Sequence, residues 1–297
     1  MRGGLFLLHY GVVLPKTQQT VPWPRWPGLR EALPTMTPKE PFYTLRLART
    51  DRDLRAAQRL RYQVFVEELG GDGPLVDHAA RLEADEFDPH FDHLLLIDTR
   101  RDPALLEDVV GVYRLLTSEQ AARIGRFYSE SEYDLTPLKA TGRRLLELGR
   151  SCVHADHRGG TAMLHLWSAL ADYVLHRGIE VMFGVASFHG TDIAPLRVPL
   201  AYLHHNHLAP PDIRVRARPD HFQPMDLVPA DQIDRRAALA ATPALIKAYI
   251  RLGGFVGEGA WIDTAFNTTD VCLLMDTDRM SAKHKDFYVR KQAGGQE

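Results

Sequence analysis

The chain has 297 residues, of which 45% are hydrophobic and 25% are charged, and its formal net charge at pH 7 is -2. This composition is typical of a soluble globular protein, and it excludes nucleic-acid binding through bulk positive charge. No apolar run approaches the roughly 18 residues that a membrane-spanning helix requires. The two cysteines, Cys152 and Cys272, both lie in apolar runs and exclude a disulfide scaffold.

Residues 1–41 differ from the rest because they are rich in proline, which removes backbone hydrogen bonds from helices and sheets. We interpret them as a disordered basic leader, since seven basic and two acidic residues precede position 50. Together with Trp23 and Trp26, this charge is compatible with contact at an anionic membrane surface; an unstructured tail is the simpler alternative. The leader lacks a small-residue cleavage site, so we expect a cytoplasmic protein, either free or peripheral to the inner face of the plasma membrane.

Residues 42–297 read as one domain, in which the predicted order is strand, helix, several consecutive strands, glycine loop, helix and strand. Thr50 in "TDRD" is placed to cap a helix that Gly70 and Gly71 would end. Residues 187–242 are rich in histidine and proline and are predicted to be an irregular insertion. The predicted elements are strands at 42–48, 93–98, 109–116, 145–153, 180–188 and 271–275, and helices at 54–69, 160–178 and 243–254. Their order predicts an α+β fold with a mixed central sheet flanked by helices.

The loop "DHRGGTA" lies between a predicted strand and a predicted buried helix. Gly159 and Gly160 allow the backbone to approach a ligand closely, and the first amides of a helix after Thr161 carry partial positive charge. Arg158 beside them favours a phosphate group. The loop therefore predicts an anion site. The alternative is that these residues only form a tight turn between the strand and the helix and bind no ligand.

The motif "ELGR" places Glu147 and Arg150 on opposite faces of a regular strand. They can act together only if the pleat is broken between them, and Gly149 is suited to a β-bulge. A bulge would free a backbone N–H of Ser151 or Cys152 to stabilise an oxyanion. A buried Glu147 would have a raised pKa suited to accepting a proton from an ammonium group, and a structural ion pair is the alternative.

Several motifs resemble known acyltransferases. "VHADHRGGTAML" resembles the acyl-carrier phosphate loop of the GNAT N-acyltransferase superfamily. "RYQVF", "VVGVYRLL" and "ELGR" resemble, in order and spacing, the signature of acyl-homoserine-lactone synthases, which are GNAT-like enzymes that use acyl carrier protein. The chain departs from that signature because Gly70 and Gly71 stand where an early tryptophan is expected.

The closer resemblance is to the L-ornithine N-alpha-acyltransferases, haemolysin-like members of the GNAT superfamily. It rests on "ELGRSCV", "YLHHNHLAP", "LIKAYIRLGG" and "FNTTDVCLLMDTDRMSAKH" and covers residues 42–287. It implies a GNAT-like fold and transfer of a 3-hydroxyacyl group from acyl carrier protein to the α-amino group of L-ornithine. The product would be lyso-ornithine lipid. The donor would be the 3-hydroxyacyl-phosphopantetheine of the carrier protein, with no permanently bound cofactor and no metal.

The resemblance also implies roles for individual residues. Glu147 and Arg150 would be catalytic. Cys152 would be a small core or tunnel residue rather than a nucleophile. Substrate would be bound by Arg61, Phe65, Asp85, Asp88 and Arg114. The pantetheine arm would contact Ser151, Cys152, Val153, Arg158, Gly159, Gly160 and Thr161. The carrier protein would dock against Lys139, Arg143, Arg144, His157 and Arg158.

Two alternatives stay open. One is an N-acyltransferase for another amine or an acyl-homoserine-lactone synthase, and the other is a non-enzymatic lipid-surface protein of the haemolysin-like kind. The histidines His204, His205 and His207 suggest zinc, but no further Cys or His stands at ligand spacing, so we expect ordinary histidines there.

Overall fold

The computed structural model describes residues 42–279, so the predicted leader at 1–41 lies outside the described residues. The described part contains a seven-residue π-helical segment, Tyr62–Glu68, and short 3-10 turns. Its α-helices are α1 (Asp51–Arg61), α2 (Ser118–Ile124), α3 (Thr136–Ala140), α4 (Ala162–Arg177), α5 (Arg197–His207), α6 (Arg235–Ala241) and α7 (Ala244–Arg251). None of these helices has the length and apolar character needed to cross a bilayer.

A nine-stranded mixed sheet forms the centre of the described chain. The strands, in chain order, are β1 (Tyr43–Leu47), β2 (Asp92–Asp98), β3 (Val109–Thr117), β4 (Tyr133–Asp134), β5 (Leu145–Val153), β6 (Val181–His189), β7 (Arg216–Ala217), β8 (Phe222–Gln223), β9 (Phe255–Val256), β10 (Ala260–Asp263) and β11 (Thr268–Asp276). The sheet order is β1-β2-β3-β5-β6-β11-β10-β8, β9 also pairs with β11, and β4 and β7 form a separate pair. Among the pairings within the sheet, β5 with β6 is parallel and the others are antiparallel.

Helices cover both faces of this sheet, and the alternation along β2 shows which side each covers. Leu94 and Leu96 belong to the apolar cluster that contains α4 residues. Leu95 and Ile97 belong to the cluster that contains α1 residues. Because successive strand residues point to opposite faces, α1 and α4 pack on opposite sides of the sheet.

The strongly periodic segments fold as predicted. Each predicted strand and helix corresponds to an observed element, from β1 to β11. Thr50 caps α1, since its hydroxyl accepts a hydrogen bond from the Asp53 N–H, and Gly178 ends α4 in the left-handed conformation. The predicted mixed sheet flanked by helices is therefore confirmed.

Two predictions need correction. Residues 187–242 are not irregular throughout, because they contain α5 and α6; the helical pattern of α5 is obscured by its terminal histidines and by Pro199. The helix predicted at 54–69 is not α-helical throughout, because it changes to π-helix at Tyr62. Single-turn π segments often occur at functional sites, and Phe65 within this segment and Leu69 directly after it line the cavity described below.

Candidate active site

The central sheet splits between β5 and β6. The parallel pairing ends at Glu147 and Phe183, although each strand continues for six further residues. Gly184 lies at this point, and a Cβ there would stand 2.1 Å from the Leu148 carbonyl oxygen. The two strands approach closely enough to exclude a side chain and then separate, which leaves unpaired backbone on both.

A β-bulge lies in β5 beside the split. Arg114 of β3 is opposite Gly149, whereas Val112 is opposite Cys152. Two residues of β5 therefore face a single residue of β3, which is the definition of a bulge. The predicted break in the pleat is confirmed.

The residue that breaks the pleat is Arg150 rather than Gly149. Arg150 has a φ of 46°, in the left-handed region that costs a residue with a Cβ about 1–2 kcal/mol. Gly149 does not have a positive φ. Its missing side chain matters differently, because a Cβ there would lie 3.8 Å from Nε of Arg114. The glycine thus leaves room above that guanidinium group.

A cavity of about 280 Å³ occupies the split and takes its lining from both strands. Apolar lining residues come from the clusters on both faces of the sheet, including Leu148 and Met182 on one side and Phe91 and Phe183 on the other. The cavity thus runs from one face of the sheet to the other. Its charged lining residues are Arg114, Glu132, Glu147, Arg150, Asp263 and Asp270.

Glu147 is 1% exposed, and its carboxylate faces a short turn that follows α2. The backbone N–H groups of Tyr128 and Ser129 each donate to one of its oxygens at 2.7 Å, and the Ser129 hydroxyl also donates to it. Burial raises the pKa of Glu147, while the hydrogen bonds from Ser129 and Tyr128 oppose the rise. The predicted direction of the shift is confirmed.

The side chain of Arg150 does not pair with Glu147. Its guanidinium group contacts Glu83 at 3.2 Å and the Tyr128 hydroxyl at 3.3 Å. Because Tyr128 also donates its backbone N–H to Glu147, one turn residue connects the two predicted catalytic residues. The alternative reading of these two residues, a structural ion pair, is therefore wrong, and both residues line the same cavity.

Arg114 is fully buried and only partly paired. Its Nη1 donates to Asp85 at 2.6 Å and to Asp88 at 2.9 Å. Within the described residues, its Nε and Nη2 have no hydrogen-bond partner, and the side chain lines the cavity. This guanidinium group therefore retains two donors for an anionic ligand.

The other predicted substrate residues form a buried ion-pair network. Arg61 is fully buried and pairs with Glu83 and Asp88. Burial alone would raise the pKa of Glu83, but Arg61 and Arg150 outweigh it and lower the pKa to about 2. Of the five residues predicted to bind substrate, Phe65 and Arg114 are found in the described cavity lining, and Arg61, Asp85 and Asp88 are not. The geometry thus favours a supporting role for these three residues.

The predicted phosphate loop connects β5 to α4. Arg158 donates through Nε to the Val153 carbonyl at 2.9 Å and pairs with Glu68 at 2.7 Å. Gly159 has a φ of 77°, and no heavy atom of the described chain lies within 4 Å of a Cβ built at Gly160. The loop is open to an approaching ligand, and its residues 158–161 lie outside the described cavity lining.

Ser151 and Cys152, which follow the bulge residue Arg150, lie in different environments. Ser151 lines the cavity, and its buried hydroxyl has no hydrogen-bond partner among the described residues. Cys152 instead packs with Val112 in the cluster beneath α1. Burial raises the pKa of Cys152 to about 12, so it is a thiol at neutral pH and a poor nucleophile.

Sequence reasoning missed five residues of this site. Their carboxylates and hydroxyls come from a turn and from strands that are distant in sequence, and no short motif marks them. A charged residue inside an apolar strand, as in "TTDVCLLMD", was the available signal for one of them. The five are Tyr128, Ser129, Glu132, Asp263 and Asp270.

In the structure, an aspartate lies beside two histidines of the predicted histidine motif. Ligand atoms of His204, His205 and Asp226 lie within 4.8 Å of one another, and this is a group that could hold a metal ion. His205 Nε2 contacts Asp226 at 3.0 Å and the Val228 carbonyl oxygen at 3.1 Å. The third candidate ligand that sequence spacing lacked is thus an aspartate, and none of these three residues is in the described cavity lining.

The predicted docking residues are basic groups with acidic neighbours. Arg143 pairs with Asp276 at 2.8 Å, and Arg144 approaches Glu180 at 3.7 Å. The side chain of Arg144 is 59% exposed, whereas that of Arg143 is 20% exposed. Arg144 is therefore the more accessible of the two for a partner.

Comparison with known proteins defines the class. The family model for the Acetyltransferase (GNAT) domain matches residues 60–168, which span the sheet from β2 to β5 and the loop leading into α4. This match and the mixed sheet confirm the GNAT-like fold that the motifs predicted.

The relatives define the family within that class. The chain is 68% identical over 252 residues to the L-ornithine N(alpha)-acyltransferase of Rhodobacter capsulatus, covering 85% of this chain and 96% of that protein. It is 42% identical to that of Brucella abortus, covering 82% and 88%, and 40% identical to that of Rhizobium meliloti, covering 82% and 83%. The chain belongs to the L-ornithine N(alpha)-acyltransferase family.

Proposed function

We propose that this protein transfers a 3-hydroxyacyl group from acyl carrier protein to the α-amino group of L-ornithine, which yields lyso-ornithine lipid. The amino nitrogen attacks the thioester carbonyl, a C–N bond forms, and the C–S bond breaks to release the carrier thiol. The observation that carries the proposal is the split between β5 and β6, where one cavity combines a buried carboxylate, guanidinium groups and an apolar lining. The relatives named above support ornithine as the acceptor.

Glu147 is the proposed general base. An α-ammonium group has a pKa of about 8 and is largely protonated at neutral pH, so it must lose a proton before it can attack. The raised pKa of Glu147 brings its proton affinity closer to that of the amine, and Glu147 is one of the residues that line the cavity. The three donors from the Tyr128–Ser129 turn keep the carboxylate in place while it accepts the proton.

Arg114 is the proposed partner of the amino-acid carboxylate. Its Nε and Nη2 are buried donors without an acceptor among the described residues, and such donors are costly unless a ligand satisfies them. Gly149 leaves the space above them open. Arg150 lies beside the same cavity and adds a second positive charge.

The donor would enter along the separated strands. The acyl chain fits the apolar side of the cavity, which is lined by Leu148, Met182, Leu273 and Met275. Ser151, at the bulge, is placed to present a donor to the thioester oxygen. The open backbone at Gly160 and the start of α4 would hold the pantetheine phosphate.

Acyl carrier protein is the proposed donor protein, because its acidic surface would complement the exposed side chains of Arg144 and Arg158. A charge-steered encounter weakens as salt is added. The KM for 3-hydroxyacyl-ACP should therefore rise with ionic strength more than the KM for the matching 3-hydroxyacyl-CoA.

The direct test incubates the purified protein with 3-hydroxyacyl-ACP and a panel of amino acids and polyamines. Mass spectrometry should detect N-acylated ornithine together with release of the carrier thiol. Acylation of another amine in place of ornithine, or lactone formation with release of methylthioadenosine, would contradict the proposed acceptor. The absence of any acylated product would contradict the proposed enzymatic function.

Replacement of the proposed base gives a second test. Glu147→Gln should lower kcat by about 100-fold or more because the amide cannot accept the proton. It should also destabilise the fold by about 1–3 kcal/mol, since a backbone N–H then faces an NH₂ group. The matched control is Glu119→Gln on the exposed side of α2, which should retain wild-type kcat. A Glu147→Gln protein that folds and keeps wild-type kcat would exclude Glu147 as the base.

A further inference from the structure

Three carboxylates line the cavity but have no part in the mechanism above. Glu132 follows the turn that holds Glu147, Asp263 ends β10, and Asp270 lies in β11. All three belong to the cavity lining. We call them the acidic trio.

Two members of the acidic trio are buried with an unsatisfied oxygen. Glu132 is 5% exposed and Asp270 is 4% exposed. Among the described residues, Oε2 of Glu132 and Oδ1 of Asp270 have no hydrogen-bond partner. A buried carboxylate oxygen without a donor is expensive, so these atoms indicate a missing cationic or hydrogen-bonding ligand.

The surroundings keep the trio in place and leave it poorly neutralised. Ser187 lies opposite Asp270 in the pairing of β6 with β11, and Ser187 and Thr268 oppose the rise in the pKa of Asp270. Asp263 accepts hydrogen bonds through Oδ1 from two backbone N–H groups of the following turn. Arg150 is the cation that acts on Glu132 and Asp270, and its guanidinium group is already engaged by Glu83 and Tyr128.

The charges in the trio repel one another. Burial and then the carboxylate of Asp270 raise the pKa of Glu132, and Asp263 and Glu147 act in the same direction. Burial raises the pKa of Asp270 to about 6. Like charges in one buried cavity are unfavourable, and a bound cation would relieve the repulsion.

We propose that the acidic trio binds the side-chain ammonium group of the acceptor amino acid, and that it thereby selects a diamino acid over a neutral amino acid of the same length. The inference rests on the proposed function and assigns its specificity to residues 132, 263 and 270. An ammonium group has three N–H donors and no acceptor, which matches three carboxylates. Asp85 and Asp88, the acids that the resemblance implied for substrate binding, already pair with Arg114 and are poor candidates for this role.

The proposal also assigns each end of the acceptor. Arg114 takes the carboxylate, Glu147 faces the α-amino group, and the trio takes the side-chain ammonium group, so the three charged groups of a diamino acid have separate partners in one cavity. A neutral side chain would leave Glu132 and Asp270 unsatisfied. Discrimination by unpaired buried polar groups is stronger than discrimination by apolar contact alone.

The test compares L-ornithine with L-norvaline, which has the same carbon chain without the terminal ammonium group. Steady-state kinetics with 3-hydroxyacyl-ACP are measured for the wild type, Asp270→Asn and Glu132→Gln. The wild type should prefer ornithine in kcat/KM. Each variant should raise the KM for ornithine by about 10- to 100-fold, the loss of one charge-assisted hydrogen bond, and change norvaline kinetics by less than about 3-fold.

Matched controls are Asp231→Asn and Glu119→Gln, which alter exposed acids outside the cavity lining and should behave as wild type. Norvaline turnover reports whether each variant is folded. An equal loss for both substrates, an unchanged KM for ornithine, or a wild type that acylates norvaline as well as ornithine would each overturn the proposed selection. In these three outcomes wild-type acylation of ornithine still supports the proposed function, whereas a wild type that acylates neither substrate overturns both.

Discussion

The carboxylate of Glu147 is held by three donors from one turn, and these donors lower its proton affinity against the larger effect of burial. Two donors are backbone N–H groups, which only a proline substitution would remove, and the third is the hydroxyl of Ser129. A hydrogen bond to a carboxylate favours its charged form and lowers its pKa. Ser129 is therefore a positioning residue that tunes the proposed base.

Ser129→Ala should move the acid limb of the pH profile of kcat to higher pH. Loss of the hydroxyl raises the pKa of Glu147 further, so a higher pH is needed to produce the carboxylate that accepts the proton. The expected shift is about 1 pH unit, the value of one charge-assisted hydrogen bond. The measurement is kcat against pH with saturating donor and acceptor.

Ser131→Ala is the control in the same turn, because its hydroxyl donates to the Tyr128 carbonyl rather than to the carboxylate. It should leave the acid limb in place. If Ser129→Ala lowers kcat at every pH without moving that limb, then Glu147 does not titrate in the rate-limiting step.

At the scale of elements, the separation of β5 from β6 creates the site. Their three paired positions are followed by strands that run apart, and the cavity lies between them. Close contact before the separation requires a residue without a side chain at Gly184. The glycine is thus a structural requirement that a hydrophobic strand pattern conceals.

Gly184→Ala should reduce the free energy of unfolding by about 1–3 kcal/mol or more, because its Cβ would overlap the Leu148 carbonyl oxygen and push the strands apart. Chemical denaturation measures the loss. The control is Gly73→Ala, whose Cβ would lie 3.7 Å from Val76 in ordinary contact. It should stay within about 0.5 kcal/mol of wild type, and equal stability of the two variants would contradict the predicted close approach.

At the scale of the whole molecule, a buried ion-pair network connects α1, the loop that follows it, β3 and β5. Arg61 and Arg114 pair with Asp88, and Arg150 pairs with Glu83. Removing one partner from such a network leaves an uncompensated buried charge, which costs far more than the loss of an exposed pair. The network therefore couples the walls of the cavity to the stability of the fold.

Glu83→Gln should lower the free energy of unfolding by about 3–5 kcal/mol at pH 7, because Arg61 loses a buried anionic partner. Glu67→Gln, which breaks the exposed pair with Arg81, should cost about 0–1 kcal/mol. Urea denaturation of both variants gives the comparison. Equal losses would show that the network contributes no more than a surface pair.

The loss of stability in Glu83→Gln should also depend on pH. The folded pKa of Glu83 is lowered to about 2 from an ordinary value of 4.5, so its contribution is present above pH 4.5 and is lost as pH falls towards 2. The stability difference between wild type and Glu83→Gln should therefore shrink across that interval. A difference that stays constant from pH 5 to pH 2.5 would contradict the lowered pKa.

The sequence by itself determined the helices and strands with a regular apolar pattern, and the pairs of functional residues that are close together along the chain. Alternation and helical spacing depend on local burial, so β1, β5 and α4 were predictable, and Glu147 and Arg150 were recognisable because three positions separate them. The family was recognisable for the same reason, since its motifs keep their order.

Only the tertiary structure decided which charges are free and which are already paired. Arg61, Asp85 and Asp88 looked like ligands in sequence, but folding places them in mutual ion pairs. Glu132 lies in no short motif and Asp270 was marked only as a charge inside an apolar strand, yet folding brings both into one cavity with unsatisfied oxygens. The physical reason is that charge pairing acts through space between distant segments, whereas sequence patterns report only the burial of each residue and its neighbours.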